Sequence, residues 1–148
     1  MTLNINKEVI LEEVFNSKKI TVFGEAHFKP DEVKEIRNKV ISLKPDLIIH
    51  ELDFEEPELK KKFKVVPLEP SNKIGKKYPK DLKKQFKIRE KEMKETIQKY
   101  LNKYKNIVIV LGDAHIRETN EYFGNHDLNT FLKNTGAKII RSKYKEIK

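Results

Sequence analysis

Runs of β-branched and aliphatic residues alternate along the chain with longer amphipathic stretches. The runs predict strands at about 19–24, 46–52, 63–68, 106–111 and 137–141. The first, second and fourth contain stretches without polar alternation, which is typical of strands buried on both faces of a sheet. Pro67 favours an edge position for the third strand, because proline cannot donate to a neighbouring strand.

Apolar residues at helical spacing predict helices between these strands. A short one covers 7–16, a second begins at Pro30 and ends near Lys44, a long one covers about 80–104, and a last one covers 126–135. The apolar stripe of the long helix is formed by Leu82, Phe86, Met93, Ile97, Leu101 and Tyr104. Arg89 falls on this stripe. Either its stem is buried with the guanidinium in water, or the guanidinium points into a pocket.

The order of elements, α-β-α-β-β-α-β-α-β, predicts an α/β fold with a mostly parallel central sheet of about five strands and helices on both faces. We expect a single domain over 1–148, a length that suits one hydrophobic core. Right-handed crossovers favour the strand order 3-2-1-4-5. Strands one and four would then be neighbours at the switch point, where a crevice opens at the carboxyl ends of the strands.

Two matching motifs follow the first and fourth strands. Gly24–His27 and Gly112–His115 each read glycine, acid, alanine, histidine, and the second strand ends in the acidic stretch 50–53, His-Glu-Leu-Asp. Polar residues at the ends of buried strands lie where open α/β sheets place their chemistry. The sequence therefore predicts a site that brings together Glu25, His27, Glu51, Asp113 and His115.

Two imidazoles and one or two carboxylates suit Zn²⁺, Mn²⁺, Fe²⁺ or Co²⁺. The same groups also suit metal-free acid–base chemistry in which a carboxylate orients each histidine. Because His50 and Glu51 are adjacent in a strand, they point to opposite faces; we assign Glu51 to the site and His50 to a packed, hydrogen-bonded position. His126, at a predicted helix start, is assigned to the surface or to a helix cap.

Composition excludes several kinds of site and of cellular location. The chain has no cysteine, which excludes disulfides, thiolate ligands and a cysteine nucleophile, and it shows neither an apolar run long enough for a membrane helix nor an apolar leader. We therefore expect a cytoplasmic protein. The net charge of +9 is concentrated in 60–105, with 17 lysines and arginines against 5 acids. This segment is interpreted as a solvated helix face, since no nucleic-acid motif accompanies it.

Four features resemble the superfamily of erythromycin esterases, ChaN-type haem-binding proteins and Tiki/TraB proteins. They are the Gly-x-x-His at 24–27, the Glu-Leu-Asp at 51–53, the Arg-x-x-x-Met at 89–93 and the second Gly-x-x-His at 112–115. The resemblance implies an α/β core, with His27, Glu51 and His115 as site residues and Glu25 and Arg89 in support. It departs from typical members in its short chain, and the spacing of Glu25 and His27 is nearer the ChaN pattern than the esterase one.

The leading hypothesis is a metal-dependent hydrolase that activates water. His27 and His115 would hold the metal with Glu51 or Glu25, another carboxylate would accept a proton, and Arg89 would stabilise developing negative charge. The substrate would be a small molecule or peptide with an ester or peptide bond. The alternatives are a metal- or haem-binding protein without turnover, and an interaction module whose basic segment 60–105 meets an anionic polymer.

Overall fold

Five parallel strands form the centre of the protein in a computed structural model, which describes residues 18–25, 30–51, 57–70, 80–116 and 127–142. The strands are β1 (Lys19–Glu25), β2 (Leu47–His50), β3 (Val65–Pro67), β4 (Asn106–Gly112) and β5 (Lys138–Ile140). Every strand pair is parallel. The predicted α/β fold with a mostly parallel five-stranded sheet is therefore confirmed, and β3 occupies an edge, as Pro67 indicated.

The order of the strands is 3-2-4-1-5, so the predicted order 3-2-1-4-5 is wrong in exchanging the first and fourth strands. The expected neighbours β1 and β4 do pair, along seven residues from Lys19 with Asn106 to Glu25 with Gly112. However, β4 rather than β1 lies next to β2. The central place suits β4, because its residues from Ile107 to Leu111 are all buried apolar side chains.

Helices cover both faces of the sheet, as predicted. They are α1 (Pro30–Leu43), α2 (Pro57–Lys62), α3 (Leu82–Leu101) and α4 (Asp127–Asn134). On one face, Met93 and Ile97 of α3 and Leu128 and Leu132 of α4 pack on Ile109 and its neighbours. On the other face, Ile36 and Val40 of α1 pack on Val108, Val110 and Phe23.

The end of α1 is fixed to the start of β4. Lys44 has a φ of 50°, which ends the helix directly before Pro45. The Asn106 side chain donates to the carbonyls of Leu43 and Lys44, and the Asn106 backbone N–H donates to the Asp46 carboxylate. These bonds satisfy the last carbonyls of the helix and set β2 in register beside β4.

The predicted helix at 7–16 lies outside the described residues. Among the residues that the structure describes, none of the helices combines the length and hydrophobicity that a membrane-spanning segment requires.

Candidate active site at the carboxyl ends of the strands

An acidic residue stands at the carboxyl end of each of the first four strands. Glu25 ends β1, and Glu51, Glu69 and Asp113 follow β2, β3 and β4; all four are buried. Parallel strands bring these acids to one edge of the sheet. Two groups of side chains form there. The inner cluster is Glu51, Glu69, Arg89, Glu90 and His115, and the outer clasp is Glu32, Asp113, Arg141 and Ser142.

Glu51 is the centre of the inner cluster. Its Oε1 accepts the backbone N–H of Gly112 at 2.8 Å, and its Oε2 accepts from Arg89 Nη2 at 3.2 Å. Burial favours the neutral acid, but contacts with His115, the Gly112 N–H and Arg89 outweigh it and lower the pKa of Glu51 to about 2. Because β2 pairs directly with β4, this carboxylate reaches the end of β4 without an intervening strand.

His115 lies between two carboxylates. It belongs to a 3₁₀ turn, Asp113–Ile116, that directly follows β4. Its Nε2 is 3.5 Å from Glu51 Oε1 and its Nδ1 is 3.6 Å from Glu90 Oε2, while its ring stacks on Phe86 with the centroids 4.6 Å apart. Burial opposes the charged ring, but the two carboxylates outweigh it and raise the pKa of His115 to about 9.

Arg89 turns its guanidinium inward, toward acids, rather than out to water. Its Nε and Nη2 donate to both oxygens of Glu69 at 2.9 and 2.8 Å, and Nη2 also donates to Glu51. The side chain is only 16% exposed and Glu69 is fully buried. Of the two alternatives for Arg89, the inward orientation is therefore correct, and the anion it meets is supplied by the protein itself.

Gly24 connects the first motif to the second. A Cβ at this position would lie 2.4 Å from Asp113 Oδ1 and 2.8 Å from Ile116 Cδ1. Only glycine therefore lets the 3₁₀ turn that carries His115 pack against the end of β1. The glycine of one motif makes room for the acid of the other.

The outer clasp binds Asp113 to the end of β5. Arg141 donates to both oxygens of Asp113, at 2.8 and 2.7 Å, and the Ser142 N–H donates to Oδ1 at 2.9 Å. The Ser142 hydroxyl lies 2.9 and 2.7 Å from the two oxygens of Glu32, in the first turn of α1. Asp113 was expected beside the reactive groups, but here it anchors the turn that carries His115.

His50 and Glu51 point to opposite faces, as their adjacency in a strand requires. The buried His50 ring lies with its Nε2 3.8 Å from Glu25 Oε1. The structure therefore places Glu51, Arg89 and His115 together, and it pairs Glu25 with His50. His27, Asp53 and His126 lie outside the described residues.

Glu69 and Glu90 were not assigned to the site from the sequence, although the position of each in the sequence indicates burial. Glu69 follows a predicted strand, as Glu51 does. Glu90 lies four residues after Phe86 and three before Met93, which is the phase of the apolar stripe, and it is only 3% exposed. A charged residue in that phase has to meet a partner inside the protein. Here the partner is His115.

The inner cluster contains imidazole and carboxylate groups, side chains that can bind divalent metals. Among the described residues, no group of three or more histidine, aspartate and glutamate side chains is arranged to hold a metal ion. His115 Nε2 and Glu51 Oε1 nevertheless face each other at 3.5 Å, and Glu90 stands at the second ring nitrogen, where metal-binding histidines usually meet a carboxylate. Both ring nitrogens of His115 thus face a carboxylate.

Neither a protein-family model, nor a curated protein, nor a solved structure matches the chain.

Proposed function

We propose that the inner cluster is the centre of a water-activating, metal-dependent hydrolase, in which His115 and Glu51 hold a divalent metal together with His27. The observation that carries the proposal is the row Glu90–His115–Glu51, buried at the carboxyl ends of β2 and β4. A buried histidine between two carboxylates has little use in a purely apolar core, where packed hydrophobic side chains would serve as well.

Glu90 would set the state of the ring. Glu90 Oε2 faces Nδ1 and Glu51 Oε1 faces Nε2, so both nitrogens carry protons in the metal-free protein at neutral pH. A metal that replaced the proton on Nε2 would leave Glu90 holding the proton on Nδ1. This is the orientation in which a histidine can ligate through Nε2. His27 is the expected second imidazole, because it follows by two residues Glu25, whose register partner is Gly112 at the end of β4.

Charge also supports a divalent ion. With a neutral His115, the inner cluster holds three carboxylates, Glu51, Glu69 and Glu90, against the single guanidinium of Arg89. The formal charge is then −2, which a divalent cation would neutralise in a setting where uncompensated charge is costly. The donors available, imidazole and carboxylate, suit Zn²⁺, Mn²⁺, Fe²⁺ or Co²⁺.

Each residue has a separate task in this proposal. A bound metal would supply Lewis acidity and lower the pKa of a bound water. Arg89 holds Glu51 in place through its shared bonds to Glu69, so we assign it a positioning role rather than direct stabilisation of the substrate. The structure pairs Glu25 with His50 on the other face of the sheet, so we assign Glu25 no direct part in activating the water.

The test begins with metal binding. The metal content of untagged protein, and its affinity for Zn²⁺, Mn²⁺ and Co²⁺, are measured for the wild type and for His27→Ala and His115→Ala. His50→Ala is the matched control, because His50 lies on the opposite face of the sheet. We expect one metal per chain, lost in the first two variants and kept in the control. The metal-loaded protein is then screened against generic esters, peptides and phosphoesters.

Three outcomes would contradict the proposal: absence of stoichiometric metal at any pH, equal loss of metal in the control, and a metal-loaded protein that hydrolyses none of these bonds. The last would leave a metal-binding protein without turnover.

A metal-free acid–base site is a second candidate, and the state of His115 favours it. Since the two carboxylates raise the pKa of His115 to about 9, the ring is an imidazolium at neutral pH and could donate a proton. The candidates differ in one measurement. Hydrolysis that persists in excess chelator and is abolished by His115→Gln supports the metal-free site, and hydrolysis that chelator abolishes supports the metal.

A further inference from the structure

A groove opens between α3 and α4 on the sheet face that carries the inner cluster. Its volume is about 380 Å³. Pockets of this size fit a small molecule rather than a protein segment. Glu90, the residue that contacts His115 Nδ1, also lines the groove. The groove therefore reaches the residue that supports the proposed reactive histidine.

One wall of the groove is cationic. It is lined by Lys87, Glu90, Lys91 and Lys94. Their spacing of i, i+3, i+4 and i+7 places them along one side of α3. All three lysines are exposed. Two acids, Asp127 and Glu90, also line the groove, so its three lysines leave one net positive charge. The groove as a whole therefore attracts a negative charge.

The opposite wall is partly apolar. Leu128 and Phe131 of α4 line it, and Lys94 Nζ lies over the Phe131 ring, 5.4 Å from its centroid. An aromatic face beside a row of ammonium groups suits a ligand with an apolar body and an anionic group.

We propose that this groove binds a small molecule that joins a phosphate or carboxylate group to an apolar body, and that this is the substrate class of the inner cluster. The claim that this molecule is a substrate rests on the proposed function. The binding itself follows from the groove alone. Lys87, Lys91 and Lys94 receive the anionic group, Phe131 and Leu128 contact the apolar body, and Glu90 marks the end nearest His115.

Binding is tested on the full, metal-free chain by amide NMR titration with three probes. Phenyl phosphate carries both features, inorganic phosphate lacks the apolar body, and benzyl alcohol lacks the charge. We expect saturable phenyl phosphate binding with a dissociation constant on the order of millimolar, and weaker binding of the other two. The shifts should map to α4 and to the lysine side of α3.

Paired lysine variants show whether the charge acts locally. Lys87→Ala/Lys91→Ala and the control Lys60→Ala/Lys61→Ala remove the same charge from exposed positions, the control from α2. We expect the first pair to weaken phenyl phosphate roughly tenfold, since two exposed charge contacts supply about that much, and the control to change it little. Equal weakening in both variants, or no saturable binding, would overturn the inference.

Two further results separate the possible failures. If an octamer of thymidylate binds more tightly than phenyl phosphate and both lysine variants weaken it equally, the basic surface serves a polymer and the inference is wrong. If phenyl phosphate binds in the groove but no metal-loaded protein hydrolyses any ester, the groove stands as a binding site and the hydrolytic proposal fails.

Discussion

The inner cluster and the outer clasp are built from similar side chains but differ in how their carboxylates are bound. Each lies at the carboxyl ends of the strands, and each pairs an arginine with a buried carboxylate through two nitrogens. Arg89, however, is 16% exposed and binds Glu51 and Glu69, whereas Arg141 is 39% exposed and binds Asp113. Only the inner cluster contains a histidine.

The difference separates a strand-end acid that holds the fold together from strand-end acids that surround a histidine. The clasp binds Asp113 through two guanidinium bonds and a backbone N–H, so this carboxylate helps to hold the fold. In the inner cluster three carboxylates share one guanidinium and one imidazole. The excess of negative charge around His115 is what the proposed metal, or a proton on the ring, would balance.

The largest expected effect comes from removing the inner guanidinium. Arg89→Met leaves Glu51 and Glu69 without their buried cation and should lower the free energy of unfolding by about 3–5 kcal/mol. Arg141→Met, the matched change in the clasp, should cost about 1 kcal/mol or less, because that side chain is partly in water. Urea unfolding of both variants checks the contrast. Similar losses in the two would remove the distinction between the regions.

The pH dependence of stability should follow the histidine. Because folding raises the pKa of His115 from 6.5 to about 9, its ion pairs stabilise the metal-free protein fully below pH 6.5, and this contribution is lost as the pH rises through about 9. The contribution is roughly 3 kcal/mol at most. Folding lowers the pKa of Glu51 from 4.5 to about 2, so its contribution is present above pH 4.5 and lost as the pH falls through about 2.

Unfolding free energies of wild type and His115→Gln, measured from pH 5 to pH 10, separate this term from the rest of the molecule. The advantage of the wild type should shrink steadily above pH 6.5. A constant difference across that range would mean that folding does not shift the pKa of His115.

Gly24→Ala tests whether the first motif supports the second. Its Cβ would clash with Asp113 and Ile116, so a loss of about 1–3 kcal/mol is expected, with shifted ring resonances of His115. Gly136→Ala is the control: its φ of 79° also disfavours alanine, but no atom lies within 4 Å of the added Cβ. It should destabilise the protein without moving the His115 signals. Unchanged His115 signals in Gly24→Ala would separate the two motifs.

The smallest effect is expected at the far end of the clasp. Ser142→Ala removes the hydroxyl that donates to Glu32 and should cost about 1 kcal/mol in unfolding free energy, the usual worth of one hydrogen bond. Metal affinity should be unchanged. A loss of metal binding in this variant would show that the clasp belongs to the site.

Much of the fold was predictable because its signals are local. Each of these local patterns predicts the element that contains it: the buried apolar runs predict strands, Pro30 predicts the start of α1, and Pro67 predicts an edge strand. The strand order was not predictable in this way, since both orders keep β1 beside β4 and differ in which of these two strands borders β2 and which borders β5. That choice depends on contacts between distant residues, among them the bond from the Gly112 N–H to Glu51.

The candidate site was predicted in part, for the same reason. Glu51, Arg89 and His115 stand out by position, and the structure brings them together. Asp113 matched the same pattern but is bound by Arg141. The sequence around these two residues does not predict that they pair. Glu90 is hidden among many charged residues of a lysine-rich helix, and only its helical phase marks it as buried.

The most direct test of the central claim is the ¹⁵N spectrum of the His115 ring at pH 8, with and without one equivalent of Zn²⁺. If Glu90 holds the proton on Nδ1 and the metal binds beside Glu51, added Zn²⁺ should shift the Nε2 resonance strongly while Nδ1 keeps its proton. Glu90→Leu should abolish the preference of the metal for Nε2 over Nδ1. A His115 ring that ignores Zn²⁺ while the protein binds it, or that ligates through Nδ1, would contradict the account.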